Sequence, residues 1–200
     1  MERLAIPDDK IPKDVRVYAE SEEAKSVLVG DAGEKIREFD LNHLVITGGE
    51  PMLQQRQLVY LLRRLKALYK SYFVEVETNG TIKPSDDILQ LVDQWNVSPK
   101  LESSGNTRYA REKKSALDYF ASKRNSFFKF VVQNNNDLAE VESLAGQSSI
   151  APGKIILMPE GTEASVLKER TVWLSEICES KGYRLTPRLH ILLWGNKRGT

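Results

Sequence analysis

Three short runs set carboxylates, a hydroxyl and a cation beside breaks in apolar segments. In Thr47-Gly48-Gly49-Glu50-Pro51, two glycines follow Leu44-Val45-Ile46. They let the backbone turn sharply and leave room for a ligand against the main chain. Glu50 then stands just past the apolar run. It can accept hydrogen bonds from an ammonium group and, while ionised, donates none. In Phe73-Val74-Glu75-Val76-Glu77-Thr78-Asn79 the residue types alternate. An extended backbone puts Glu75, Glu77 and Asn79 on one face and Val74 and Val76 on the other. Two ionised carboxylates facing the inside of a sheet are costly unless paired or wet. Lys129, in the otherwise apolar Phe128-Lys129-Phe130-Val131-Val132, is a candidate partner. The competing reading is an internal ion pair without chemistry. Ser98-Pro99-Lys100 joins a hydroxyl, a rigid turn and a cation, which suits a carboxylate or a ribose oxygen. Taken alone it reads as an ordinary strand-to-loop turn.

Other reactive types are sparse. His43 and His190 are the two histidines, and no H-x-x-x-H or cysteine pair accompanies them, so a zinc site is unsupported. Each is read as a hydrogen-bonded structural residue. The single cysteine, Cys178, shares a helix side with Leu174 and Ile177 and is read as core, not nucleophile.

The elements that must position these residues follow from periodicity. Leu44–Thr47 reads as a buried parallel strand, since its side chains run without a polar break. Residues 53–70 form an amphipathic helix, with Leu58, Leu61, Leu62, Leu65 and Leu68 on one face. Further strands are expected at 73–78, 95–97, 127–132 and 155–158, and a last one within Leu189–Trp194, which holds His190. Helices are expected from Ser85 to about Gln94, at 111–123, from Asp137 to Gly146, and from Thr162 or Glu163 to Lys181, where Gly182 stops it. A helix weakened by Gly30 and Gly33 is expected over 22–39, after an extended entry at 15–18 and an irregular stretch before it. Strand and helix alternate five or six times, which means a parallel sheet or open barrel with helices outside. The turns at 47–51, 77–80, 98–100 and 158–161 then share the carboxyl edge, where such sheets hold ligands.

Two hundred residues suit one domain, 1–200, with a lead-in at 1–20 and the barrel core at 35–200. A formal charge of +1 gives no nucleic-acid or acidic-membrane footprint. No apolar run has membrane-spanning length and no signal or transit pattern opens the chain, so a cytoplasmic protein is expected.

The ordered motifs in Ile46–Gln54, Val74–Thr81, Val97–Ser104, Phe128–Val132, Ile156–Thr162 and Arg188–Thr200 resemble the 7-carboxy-7-deazaguanine synthase family. That family belongs to the radical S-adenosylmethionine (SAM) superfamily. The resemblance spans roughly residues 35–200. It implies an α/β fold of parallel repeats forming an incomplete β/α barrel, usually a homodimer. It also implies conversion of 6-carboxy-5,6,7,8-tetrahydropterin to 7-carboxy-7-deazaguanine, a step of queuosine and deazapurine biosynthesis. The cofactors implied are SAM, a [4Fe-4S] cluster and Mg²⁺. The reduced cluster would cleave SAM to a radical that abstracts hydrogen from the pterin. By the same resemblance, Gly49 and Glu50 hold the amino end of SAM. Ser98, Pro99, Lys100, Met158, Pro159, Glu160 and Gly161 hold its other parts. Thr47, Glu77 and Asn79 face the pterin, with Glu77 as the catalytic candidate, and Thr200 reaches back to it.

One departure stands against this. Such clusters need cysteine thiolates, here in a C-x-x-x-C-x-x-C loop, and the chain has no cysteine before Cys178. The family's first strand, its Mg²⁺ ligand and its upstream substrate-binding residues are missing with that loop. The expectation is an internal start or a shortened form, inactive as written. The sheet edge so left is expected to be covered by residues 1–20 or by a second subunit. Two alternatives stand beside the enzyme. One is a cluster-free SAM- or pterin-binding protein or partner subunit without catalysis. The other is an unrelated β/α enzyme using Glu75 and Glu77 as acid and base.

Overall fold

The structure is a computed structural model that describes residues 16–19, 25–28, 32–34, 36, 42–68 and 72–196. Strands β1 (Arg16–Ala19) and β2 (Lys25–Leu28) form an antiparallel pair of their own. A six-stranded sheet holds β3 (His43–Ile46), β4 (Phe73–Thr78), β5 (Gln94–Val97), β6 (Ser126–Val132), β7 (Ile155–Pro159) and β8 (Arg184–Leu185), in chain order. The pairs β3–β4, β6–β7 and β7–β8 are parallel. Helices separate the strands in sequence, giving an open β/α arrangement of parallel repeats. Its strands near 44–47, 73–78, 95–97, 127–132 and 155–158 lie in one sheet, as the pattern predicts.

The chain divides into two compact units. The first runs to Thr78 and resumes over Ile82–Trp95. Here a 3₁₀ turn, Pro51–Gln54, leads into helix α1 (Gln55–Leu68). Leu58, Leu61, Leu62 and Leu65 are buried along α1, each contributing about 2 kcal/mol relative to exposure. Val74 and Val76 on β4 are fully buried, so the valine face is the core face and the glutamate face is not. A short α2 (Asp86–Leu89) replaces the longer helix expected after Ser85.

The second unit takes Asn79–Thr81 and the chain from Asn96 onward. It holds α3 (Arg108–Arg111), α4 (Lys114–Ser122), α5 (Asn135–Gln147), α6 (Ala164–Lys181) and α7 (Leu189–Trp194). The expected helix at 111–123 is split, because Glu112 and Lys113 leave helical backbone between α3 and α4. Phe128, Phe130 and Val132 on β6 and Ile155 and Leu157 on β7 fill the core. Cys178 joins it from α6, donates to the Arg184 carbonyl at 3.4 Å, and burial pushes its thiol pKa up. Gly182, at φ 69°, ends α6 in the left-handed conformation that glycine adopts without a Cβ clash.

Three expectations are corrected. β3 is an end strand, not a buried one: His43 and Val45 are exposed and Leu44 and Ile46 half-buried. An unbroken apolar run has the same pattern at an edge as at the centre of a sheet. The stretch expected as a broken helix over 22–39 contains β2, with helical backbone only at 32–34 and 36 among the described residues. Val27 favours extended backbone, and glycines such as Gly33 weaken a helix. Residues 189–194 are helical, and the last strand is Arg184–Leu185. Pro187 has no N–H for a ladder, and a short apolar run fits either structure by pattern alone. His190 therefore stands exposed on a helix.

β1 pairs with β2 and, among the described residues, no strand pairs with the outer edge of β3. Residues 1–15 and Lys197–Thr200 lie outside the described residues, so the expectations for the lead-in and for Thr200 do too.

Candidate active site

In the first unit the site is built at the ends of β3 and β4. Their register sets Ile46 beside Val76, so the next residues along, Thr47 and Glu77, come side by side. The Thr47 hydroxyl donates to Glu77 Oε2 at 3.1 Å. Two residues expected on the substrate thus form one hydrogen-bonded pair. Gly48 takes φ 103°, a value side chains rarely allow, and the chain turns there. Glu50 follows as the N-cap of the Pro51–Gln54 turn. Its Oε1 accepts from the Met52 N–H at 3.0 Å and from the buried Thr78 hydroxyl at 2.7 Å. The carboxylate expected to meet an amino group is thereby oriented by the end of the neighbouring strand. Glu75, one step back on the same face as Glu77, pairs with His43 Nε2 at 3.3 Å.

In the second unit, Ser98, Pro99 and Lys100 leave β5 and meet Glu160, which follows β7, around one cavity of about 330 Å³. Lys129 and Gln133 line it as well. Phe128, Phe130 and Val132 are buried on the opposite side of β6, which leaves the alternate positions 129, 131 and 133 for this cavity. Lys129 is thus a wall of the site. Glu160 is held by Arg170 Nη1, which donates to its Oε2 at 2.6 Å and to its carbonyl at 2.5 Å. Met158 is half-buried and Pro159 buried on β7. Neither is in the wall of this cavity, nor is Gly161. Asn79 spends its Oδ1 on an Asx turn, accepting from the Thr81 N–H at 2.9 Å and the Thr81 hydroxyl at 2.6 Å.

A larger groove of about 660 Å³ lies against Arg111, Glu112 and Glu140. Arg111 is buried and donates to both carboxylates. None of the sequence-predicted site residues lines that groove, where Arg108 pairs with Glu112 and Arg111 with Glu112 and Glu140.

Sequence reasoning missed Thr78, Gln133, Arg170 and Arg188. Gln133 was legible in the period of two from Lys129. Thr78 carried the signal of a hydroxyl at a strand end. The arginines are remote in sequence from the turn they hold, and no local pattern marks them.

No family model matches the chain. A 7-carboxy-7-deazaguanine synthase of Pyrobaculum aerophilum is 40% identical over 162 residues, covering 80% of this chain and 68% of that protein. Those of Halobacterium salinarum and Hyperthermus butylicus are 38% and 31% identical, covering 78% and 88% of this chain and 66% and 76% of theirs. The chain spans about two thirds of the length of the curated relatives it matches. A domain of pyruvate-formate lyase-activating enzyme from Bacteroides vulgatus superposes with a TM-score of 0.53 at 13% identity, covering 72% of this chain and 97% of that one. At that identity the likeness concerns the fold alone. Sequence likeness at 40% identity, carried on an open parallel barrel, places the chain in the 7-carboxy-7-deazaguanine synthase family.

Proposed function

We propose that this chain is the SAM- and pterin-binding body of a radical SAM carbon–nitrogen lyase that forms 7-carboxy-7-deazaguanine from 6-carboxy-5,6,7,8-tetrahydropterin. The observation that carries it is the cavity at the ends of β5, β6 and β7. It joins Ser98, Pro99 and Lys100 to Glu160, four of the expected cofactor residues, although some sixty positions separate them in sequence. Its volume lies at the small end of ligand pockets, about 300–1,000 Å³. Its donor set fits SAM: lysine ammonium groups for a carboxylate, a serine hydroxyl and a glutamate for ribose hydroxyls or an ammonium. When bound, SAM would supply the group from which a radical forms once a reduced cluster delivers an electron. The residues of this chain bind and orient. Glu50, steadied by Met52 and Thr78, accepts from an amino group. Thr47 and Glu77 offer acceptors to the pterin's N–H edge, and Glu77, ionised, can take a proton there.

A [4Fe-4S] cluster does not fit the residues present. Clusters are held by several thiolates. The sequence has one cysteine, and Cys178 is buried in the core with its thiol kept protonated. No group of three or more potential metal ligands gathers among the described residues. Nor is Mg²⁺ assigned a residue. This favours a second reading, a protein that binds SAM or the pterin without catalysis. The homodimer belongs to the proposal too, and exposed Leu189, Leu192, Leu193 and Trp194 on α7 support it. The cytoplasmic setting rests on the family; among the described residues no helix is long and apolar enough to cross a membrane.

Calorimetric titration with SAM and with S-adenosylhomocysteine tests the proposal. Saturable binding at one site, weakened about tenfold or more by Lys100→Gln, is expected for a charge-assisted contact. Absence of binding to both sinks the proposal. Anaerobic reconstitution with iron and sulfide separates the two readings: a stoichiometric, reducible cluster on this chain would overturn the binding-only one.

A further inference from the structure

We infer that Arg170 and Arg188 are positioning residues that fix the Glu160–Gly161 turn and so set the shape of the cofactor cavity. The inference deepens the SAM-binding reading and rests on it. The turn sits where β7 ends, so its carbonyls have no further strand to pair with. Backbone carbonyls left without a partner when buried are costly. The Glu160 N–H is satisfied by the Val132 carbonyl at 3.0 Å, which extends the β6–β7 ladder by one step. Beyond that point two guanidinium groups take over. Arg170, from α6, donates to the Glu160 carbonyl and to its Oε2. Arg188, the N-cap residue of α7, donates to the Gly161 carbonyl at 2.8 Å. Two consecutive carbonyls and the carboxylate between them are thus held from two different elements.

The turn needs such holding. Gly161 is buried at φ 143°, a conformation open chiefly to glycine and correspondingly soft. Glu160 is a wall of the cavity shared with Ser98, Lys100 and Lys129. Arg170 fixes where in that wall the Glu160 carboxylate stands. A guanidinium suits this task better than an ammonium. In Arg170 the one nitrogen Nη1 reaches the Glu160 carbonyl and carboxylate at once, and the planar group carries further N–H donors beside it. Among the described residues Arg188 Nε is buried without a hydrogen-bond partner, and Nη1 of the same guanidinium is spent on the Gly161 carbonyl. Neither arginine lines the cavity. Each acts through the turn.

The test uses the whole chain with Arg170→Gln, Arg188→Gln, the two Arg→Lys variants, and Arg108→Gln as a surface control. Arg108 is exposed and pairs with Glu112 on its own turn of chain. Hydrogen exchange is followed by mass spectrometry on peptides covering 158–163, and S-adenosylhomocysteine affinity by calorimetry. The expected result is faster exchange at 160–163 in the Gln variants, with β7 still protected. Affinity should fall about tenfold for each lost charge-assisted bond, with Arg170→Lys recovering part of it and the control unchanged. Unchanged exchange in both Gln variants overturns the inference. So does affinity within twofold of wild type in both, because the turn would then not shape the cavity. Should a Gln variant unfold, the same two readouts on the Lys variants decide. A wild-type chain that binds no SAM analogue refutes the SAM reading, and the exchange data still decide whether the arginines hold the turn.

Discussion

Replacing Gly80 by alanine should destabilise the second unit by about 3 kcal/mol, for two reasons that can be separated. Gly80 has φ 76°, and an L side chain in the left-handed region costs about 1–2 kcal/mol. A Cβ there would stand 2.6 Å from Val97 Cγ1 and 3.2 Å from Leu117 Cδ2. Both neighbours are buried, with exposures of 0% and 2%, so neither can swing into solvent. Overpacking of this kind costs about 1–3 kcal/mol. Against it, alanine restricts the unfolded chain and returns about 0.4–1 kcal/mol. Urea unfolding followed by far-UV circular dichroism should show the midpoint falling by about 1–2 M with an unchanged slope. Adding Val97→Ala removes the clash and leaves the φ penalty, so the double variant should regain at least about 1 kcal/mol beyond additivity. A loss under about 0.5 kcal/mol in Gly80→Ala, or strict additivity with Val97→Ala, would refute the reasoning. The consequence reaches function, because Val97 immediately precedes Ser98-Pro99-Lys100 and any shift of it moves the cofactor turn.

Two further outcomes follow from side chains away from the site. Lys154 Nζ donates to the carbonyls of Ala121 at 2.8 Å and Lys123 at 2.6 Å, closing the carboxyl end of α4, and burial lowers its pKa. Lys154→Met should cost about 1–2 kcal/mol by leaving those carbonyls unpaired, read as a lowered melting temperature; an unchanged melt would mean water replaces the amine without loss. Burial raises the Cys178 pKa, so the folded chain keeps a proton that the unfolded chain releases. Stability from this source is full below the unfolded thiol's pKa and is lost as pH rises through the higher folded value. Iodoacetamide should label Cys178 far more slowly in the native than in the urea-unfolded chain, and Cys178→Ala should flatten this part of the alkaline decline. Equal labelling rates would contradict the burial.

Most of the strand and helix order was legible because its signals are local. Leu58, Leu61, Leu62 and Leu65 mark α1 by their spacing, and Val74 and Val76 mark the core face of β4 by alternation. The same alternation set Glu75 and Glu77 on the other face; the alternation of strands with helices put the turns after β5 and β7 on one edge, and the family resemblance, not the pattern, named Ser98, Lys100 and Glu160 in them. What stayed hidden depends on partners far along the chain. The run at 189–194 became a helix because Pro187 ends the strand at Leu185, while Thr186 still donates to the Leu157 carbonyl. Glu50 is aimed by Thr78, Glu75 pairs with His43, a partner the pattern did not name, and Glu160 is held by Arg170. Periodicity reports which face of an element is apolar, since that is a property of neighbours in sequence. The partner of a polar group is chosen by distance in space, and only the folded register of one strand against the next decides it.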